Sequence, residues 1–223
     1  HIPFDIELYD SKGRVIPLLI NGESVHNVLD IKQDKQTFVF ENVEEQPVPS
    51  LLREFSAPVK LEYDYSDDEL VFLMKHATND FARWDASQML LAKYIRQNVK
   101  NVQAGQEVSL SEGVIDAFRG VLLDETLEPA FIAQVFSLPS INEITGWYQQ
   151  IDIDAVDKVL NSITVSLSQE LEDTMMFRRT WTSLSTSKTT STPTSPKTSL
   201  LAAATYLLPG PTILFTLLIF FVP

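Results

Sequence analysis

The sequence predicts a chain that is α+β by segment: a β-sandwich, then an all-α domain of helical pairs, then a tail of different character. Three observations predict this. In the first 62 residues apolar side chains alternate with polar ones, the period of strands. From about Ser66 the apolar spacing becomes that of amphipathic helices. After Asp173 the acidic residues stop: residues 174–223 hold Arg178, Arg179, Lys188 and Lys197 and no Asp or Glu.

The strands come first. Phe4, Ile6 and Leu8 alternate with Asp5, Glu7 and Tyr9, the pattern of a half-buried strand whose apolar face meets the core. Ser11-Lys12-Gly13 supplies a turn before Val15 and Ile16, and Asn21-Gly22 supplies a second. Phe38 and Phe40 alternate with Thr37 and Val39 as a further strand. Pro47, Pro49 and Pro58 donate no ladder hydrogen bond, so they belong at strand ends or edges. Short strands with frequent turns predict a sandwich.

The helices follow. Three S-x-x-E patterns read as capping boxes: Ser66 with Glu69, Ser109 with Glu112, and Ser140 with Glu143. Asn79 or Asp80 caps a helix running to about Val99, with Phe81, Trp84, Leu91 and Ile95 on one face. Val156, Leu160, Ile163, Leu167 and Leu171 make the stripe of a last helix. Brief connections between such helices predict antiparallel pairs, stacked as a bundle or solenoid.

Composition narrows the chemistry. The 223 residues suffice for one or two domains with cores. There is no cysteine, which excludes a disulfide framework, a thiolate metal site and a cysteine nucleophile, and fits a reducing, cytoplasmic compartment. The net charge of −13 disfavours nucleic acid as a partner. That charge is uneven: residues 1–173 hold 13 basic and 30 acidic side chains, a net of −17.

Each candidate for chemistry has a plainer account. His1, His26 and His76 are scattered, with no H-E-x-x-H pair, so they read as surface or capping residues rather than metal ligands. His76 and Asp80 stand four apart, but a helix start intervenes, and structural hydrogen bonding is the expectation. Trp84 reads as core, with Arg83 and Asp85 making local pairs on the exposed side. The acidic run Asp64 to Glu69 lacks calcium-loop spacing and reads as a helix N-terminus, as do Asp152 and Asp154. No glycine-rich phosphate loop or G-x-S-x-G elbow is present. The sequence thus predicts no catalytic, cofactor-binding or metal residue.

Particular blocks carry more. QTFVFENVEEQPVPSLLREFSAPVKLEY contains a PVPSLLRxFSAPV block, and NDFARWDASQMLL fits a D-x-F-x-R-W-[DE]-A-x-Q helix. HIPFDIELYDSKGRVIPL precedes them, and DAFRGVLLDETLEPAFIAQVFSLPSINEI follows. In this order they resemble the C-terminal part of the bacterial-type aminopeptidase N family, zinc exopeptidases of the gluzincin class. The resemblance covers about residues 1–172. It implies an Ig-like β-sandwich at 1–63 and the first part of a helical, solenoid-like cap domain at 64–173. It also implies that zinc, its ligands and the catalytic glutamate belong to a catalytic domain upstream, so that zinc is a cofactor of the parent enzyme only. Its partners are then that catalytic domain and peptide substrates. On this reading the chain is scaffold and active-site cap for removal of N-terminal residues from peptides, and is inactive alone.

The remainder departs from the family pattern. Residues 174–199 are Ser/Thr-rich, the composition of a disordered segment. Residues 200–223 are almost wholly apolar, broken by Pro209-Gly210-Pro211. A shifted reading frame is one account. The other is a genuine stalk and hydrophobic anchor, making the chain a stand-alone interaction module at a membrane.

Overall fold

The structure is a computed structural model and describes residues 1–178 apart from 34 and 60. It contains two compact units: the first holds His1–Gln97, and the second begins at Asn98.

Strand β1 (Ile2–Tyr9) organises the first unit. It pairs antiparallel with β2 (Val15–Ile16), β5 (Val28–Ile31) and β6 (Val48–Leu51) in a four-stranded sheet. Strands β3 (Leu19–Ile20) and β4 (Glu23–Ser24) form a separate two-stranded ribbon. Asn21 and Gly22 join them at φ 53° and 76°, the paired left-handed residues a two-residue hairpin turn requires. Register sets Phe4 opposite Leu29, and Leu8 opposite both Ile16 and Pro49. Among the described residues β6 pairs with β1 alone, so the missing N–H of Pro49 is tolerated at this edge. The core gathers Phe4, Ile6 and Leu8 with Leu18, Leu29, Leu52 and Ala57.

Two features depart from the strand reading. Residues 38–40 form no strand; Phe38 and Phe40 instead pack partly buried against the core, while Val39 stays 69% exposed. Alternation expresses which side chains point inward, and that demand is met here without a ladder. Strand β1 also buries part of its polar face, for Glu7 is 8% exposed and Tyr9 is fully covered.

Helix α1 (Asp67–His76) begins with the full predicted capping box. Ser66 Oγ accepts from the Glu69 N–H at 3.2 Å, and Glu69 Oε2 accepts from the Ser66 N–H at 2.8 Å. Asp67, Asp68 and Glu69 fill its first turn, where carboxylates favour the positive end of the helix dipole. Ser66→Ala is expected to lower stability by about 1 kcal/mol, read as a shift of the urea midpoint with unchanged slope.

Helix α2 (Asp80–Gln103) is capped by Asn79, whose Oδ1 accepts from the Ala82 N–H at 2.6 Å. It outruns the predicted end at Val99, and Gly105 follows its last turn at φ 76°. Leu90, Leu91 and Ile95 are buried. Phe81 and Trp84, placed in the stripe by spacing, are only half-buried, which corrects the reading of Trp84 as core.

In the second unit Asn98 is 1% exposed and grips Ser109 through both backbone groups, each at 2.9 Å. Helix α3 (Glu112–Leu123) consequently starts later than predicted. Its cap is Ser111, which accepts from the Val114 N–H, so the expected Ser109–Glu112 box does not form. Helix α4 (Pro129–Val135) has Pro at its first position. The Ser140–Glu143 box opens α5 (Ile141–Thr145) as predicted. Asp152 caps α6 (Ile153–Glu170), accepting from the Ala155 N–H at 3.0 Å. Helix α6 buries Val156, Ile163 and Leu167 as expected, with Val159 rather than Leu160 completing the stripe. Phe118 lies in this unit's core, edge-to-face on Phe136 with centroids 5.0 Å apart.

Residues 172–178 are helical as well. The Arg178 guanidinium donates to the carbonyls of Leu122, Asp124 and Leu127 at 2.6, 2.8 and 2.9 Å, a cation at the C-terminal end of α3. The rest of the Ser/Thr-rich segment predicted for 174–199, and the whole apolar tail at 200–223, lie outside the described residues. Among the described residues no helix is long and apolar enough to cross a membrane.

Candidate functional site

The most concentrated chemistry in the first unit is a polar cluster where β1 meets the connection between α1 and α2. Glu7 is its centre. Its Oε2 accepts from the Tyr9 hydroxyl at 2.5 Å and from Thr78 Oγ1 at 2.6 Å, while Oε1 lies 3.1 Å from Arg53 Nη1. The Tyr9 oxygen in turn accepts from the Thr78 N–H at 2.9 Å. Arg53 reaches Asp5 at 3.3 Å and Thr78 Oγ1 at 3.2 Å.

The electrostatics follow from enclosure. The Arg53 side chain is 11% exposed and that of Glu7 10%. Burial pushes the Tyr9 hydroxyl above its ordinary range, and the neighbouring Glu7 carboxylate adds to the effect. Burial also raises Asp5, a shift that Arg53 partly offsets. The bonds of Glu7 end on its neighbours, so the cluster joins a strand to a helical connection, while the buried Arg53 Nε has no hydrogen-bond partner among the described residues.

Backbone strain delivers Arg53 to this position. Leu52, Glu54 and Phe55 adopt φ of 54°, 53° and 53°, a left-handed conformation costly for residues with a Cβ. The turn keeps Leu52 in the core and brings the Phe55 ring against Phe81 of α2, centroids 4.0 Å apart.

Beside the cluster lies a small pocket into which Asp85 faces. Asp85 is half-buried, and desolvation lifts its carboxyl to about 6. The reading of Asp85 as a surface pairing residue is thereby corrected. Nearby, Tyr65 donates its hydroxyl to the Pro49 carbonyl at 2.9 Å, and burial followed by the Asp85 charge raises its hydroxyl strongly.

The histidines are not brought together. His1 pairs with Asp30, His26 is exposed, and His76 stacks on Phe72 with centroids 4.6 Å apart. His76 also abuts Gly13, where an added Cβ would come within 2.3 Å of Nδ1, so only glycine fits. Burial, then the charges of Lys75 and Arg83, lower the His76 imidazole. Its expected pairing with Asp80 yields to this packing. Arg83 donates to the Met74 carbonyl at 2.9 Å. Among the described residues no group of three or more His, Asp or Glu side chains is placed to hold a metal, so zinc finds no fitting ligand set there.

Comparison with known proteins identifies the family. Residues 67–203 match the model described as "Domain of unknown function (DUF3458_C) ARM repeats", and residues 1–64 the model described as "Domain of unknown function (DUF3458) Ig-like fold". The chain belongs to the DUF3458 family. Its Ig-like and ARM-repeat parts are the sandwich and helical-pair domains that the residue patterns predict. The ARM-repeat match runs on to residue 203, past the compositional break at Asp173.

The chain is homologous to part of aminopeptidase N. It is 55% identical over 176 residues to Aminopeptidase N of Escherichia coli K12, covering 79% of this chain and 20% of that protein. It is 35% identical over 173 residues to Aminopeptidase N of Haemophilus influenzae, covering 78% and 20%. A crystal structure of Legionella pneumophila aminopeptidase A in complex with aspartic acid matches with a TM-score of 0.68 at 28% identity, covering 88% of this chain and 21% of that one. The DUF3458 chain thus spans about a fifth of the length of these curated relatives.

Sequence reasoning missed Glu7, Arg53, Thr78 and Asp85 as an assembled site. Signals existed: Arg53 stands in the PVPSLLRxFSAPV block and Asp85 in the D-x-F-x-R-W-[DE]-A-x-Q helix.

Proposed function

We propose that this chain is the scaffold and active-site cap of a zinc-dependent aminopeptidase that removes N-terminal residues from peptides. The supporting observation is the 55% identity to an aminopeptidase N over 79% of the chain, within one fifth of that protein's length. The described residues contribute architecture: an Ig-like sandwich tied to ARM-type helices through the Glu7–Arg53–Thr78 cluster. Zinc, which in such enzymes polarises the scissile carbonyl and activates water, belongs on this reading to a catalytic domain encoded upstream. So do the peptide-binding groups. A cytoplasmic site of action is part of the same proposal.

A chimaera tests it. Residues 1–173 replace the homologous segment of the Escherichia coli enzyme, and hydrolysis of an aminoacyl reporter is followed. Retained zinc-dependent turnover is expected, with none from the isolated 223-residue chain. Zinc-dependent hydrolysis by the isolated chain overturns the scaffold reading. A folded but inactive chimaera overturns the assignment to this enzyme.

A further inference from the structure

The turn between β3 and β4 carries a chemistry of its own, outside the proposed function. Of the asparagines in the chain, only Asn21 is followed by glycine. Glycine offers a backbone nitrogen that no side chain shields. Asn21 and Gly22 are both exposed, and where a Cβ would stand on Gly22 there is nothing within 4 Å.

The reaction open to this pair needs only water. The Gly22 nitrogen gives up its proton and bonds to the side-chain carbonyl carbon of Asn21, closing a five-membered imide. The bond from that carbon to the side-chain nitrogen breaks, and ammonia leaves with the proton. Water then opens the imide at either carbonyl, leaving aspartate or isoaspartate.

One contact opposes the first step. The Gly22 N–H donates to Glu41 Oε2 at 2.8 Å, and the Glu41 N–H donates to the Leu19 carbonyl at 2.9 Å, so the carboxylate is tethered to β3. Ring closure must break the Gly22–Glu41 bond. It also develops negative charge on the nitrogen, beside a carboxylate that repels it.

We infer that Asn21 is a self-modifying site, deamidating through an imide with Gly22, and that Glu41 is the clasp that restrains it. Isoaspartate would add a backbone atom and a negative charge at a turn whose register sets Ile20 against Glu23. That loosens the β3–β4 ribbon beside Leu18 of the core. Asn161 is the internal control, because it stands inside α6, where the next N–H is committed to the helix ladder.

The 223-residue chain and Glu41→Ala, matched for folding by circular dichroism, are incubated at pH 8 and digested. Mass spectrometry follows the peptides holding Asn21 and Asn161. A gain of one mass unit is expected at Asn21 ahead of Asn161, about tenfold faster in Glu41→Ala. A gain at Asn21 no faster than at Asn161 overturns the site. A rate in Glu41→Ala equal to or below that of the parent overturns the clasp. Should Glu41→Ala fail to fold, Glu41→Gln takes its place: it keeps an acceptor without the charge, and a smaller quickening is expected, with an unchanged or lower rate overturning the clasp.

Discussion

Arg53→Ala is expected to destabilise the first unit by about 3 kcal/mol, the cost of stranding buried charges without their partner. The guanidinium lies 3.1 Å from Glu7 and 3.3 Å from Asp5, and the three side chains are at most 17% exposed. Removing it leaves two enclosed carboxylates and frees the Thr78 hydroxyl from one of its contacts. The loss far exceeds the ~0.5 kcal/mol typical of an exposed ion pair such as Lys32–Asp30. The chemical denaturation midpoint measures it. The double variant Arg53→Met with Glu7→Gln should recover part of the loss, because Asp5 is then the one carboxylate left without its cation. Equal destabilisation by Arg53→Ala and Lys32→Ala would falsify the claim that this cluster joins strand to helix.

The second large effect lies in the other unit. Phe118→Ala is expected to cost about 4 kcal/mol, combining lost apolar burial with the cavity left behind. Phe118 is fully covered and forms an edge-to-face pair with Phe136, which ties α3 to the end of α4. Leu160→Ala is the control. Leu160 fits the predicted stripe of α6 but is only half-buried, so its truncation should cost markedly less. Thermal melts of the two variants against the parent give the comparison. Similar melting temperatures for both would mean that Phe118 is not central to this unit's packing.

The two cases show which parts of the fold local sequence encodes. Capping boxes at Ser66 and Ser140 are decided within four residues, by a hydroxyl, a carboxylate and the first free N–H groups of a helix, and both form as read. The Asn21–Gly22 turn is equally local. Ser109 carries the same S-x-x-E pattern and forms no box, because buried Asn98, distant by 11 residues, claims its backbone N–H and carbonyl. Where a long-range partner competes for the same backbone groups, the local pattern loses.

The sequence by itself determined the change from strands to helices, the inward face of β1, and the family, since period, caps and motif blocks are all properties of neighbouring residues. Only the tertiary structure decided the fate of the polar positions. Asp5, Glu7 and Asp85 read as solvent-facing because alternation and helical spacing assign a face and not what covers it. Thr78, 71 residues beyond Glu7, brings the helical connection onto that face. A charge so covered must find a partner or hold its proton: Glu7 finds Arg53, and Asp85 is left with a raised carboxyl.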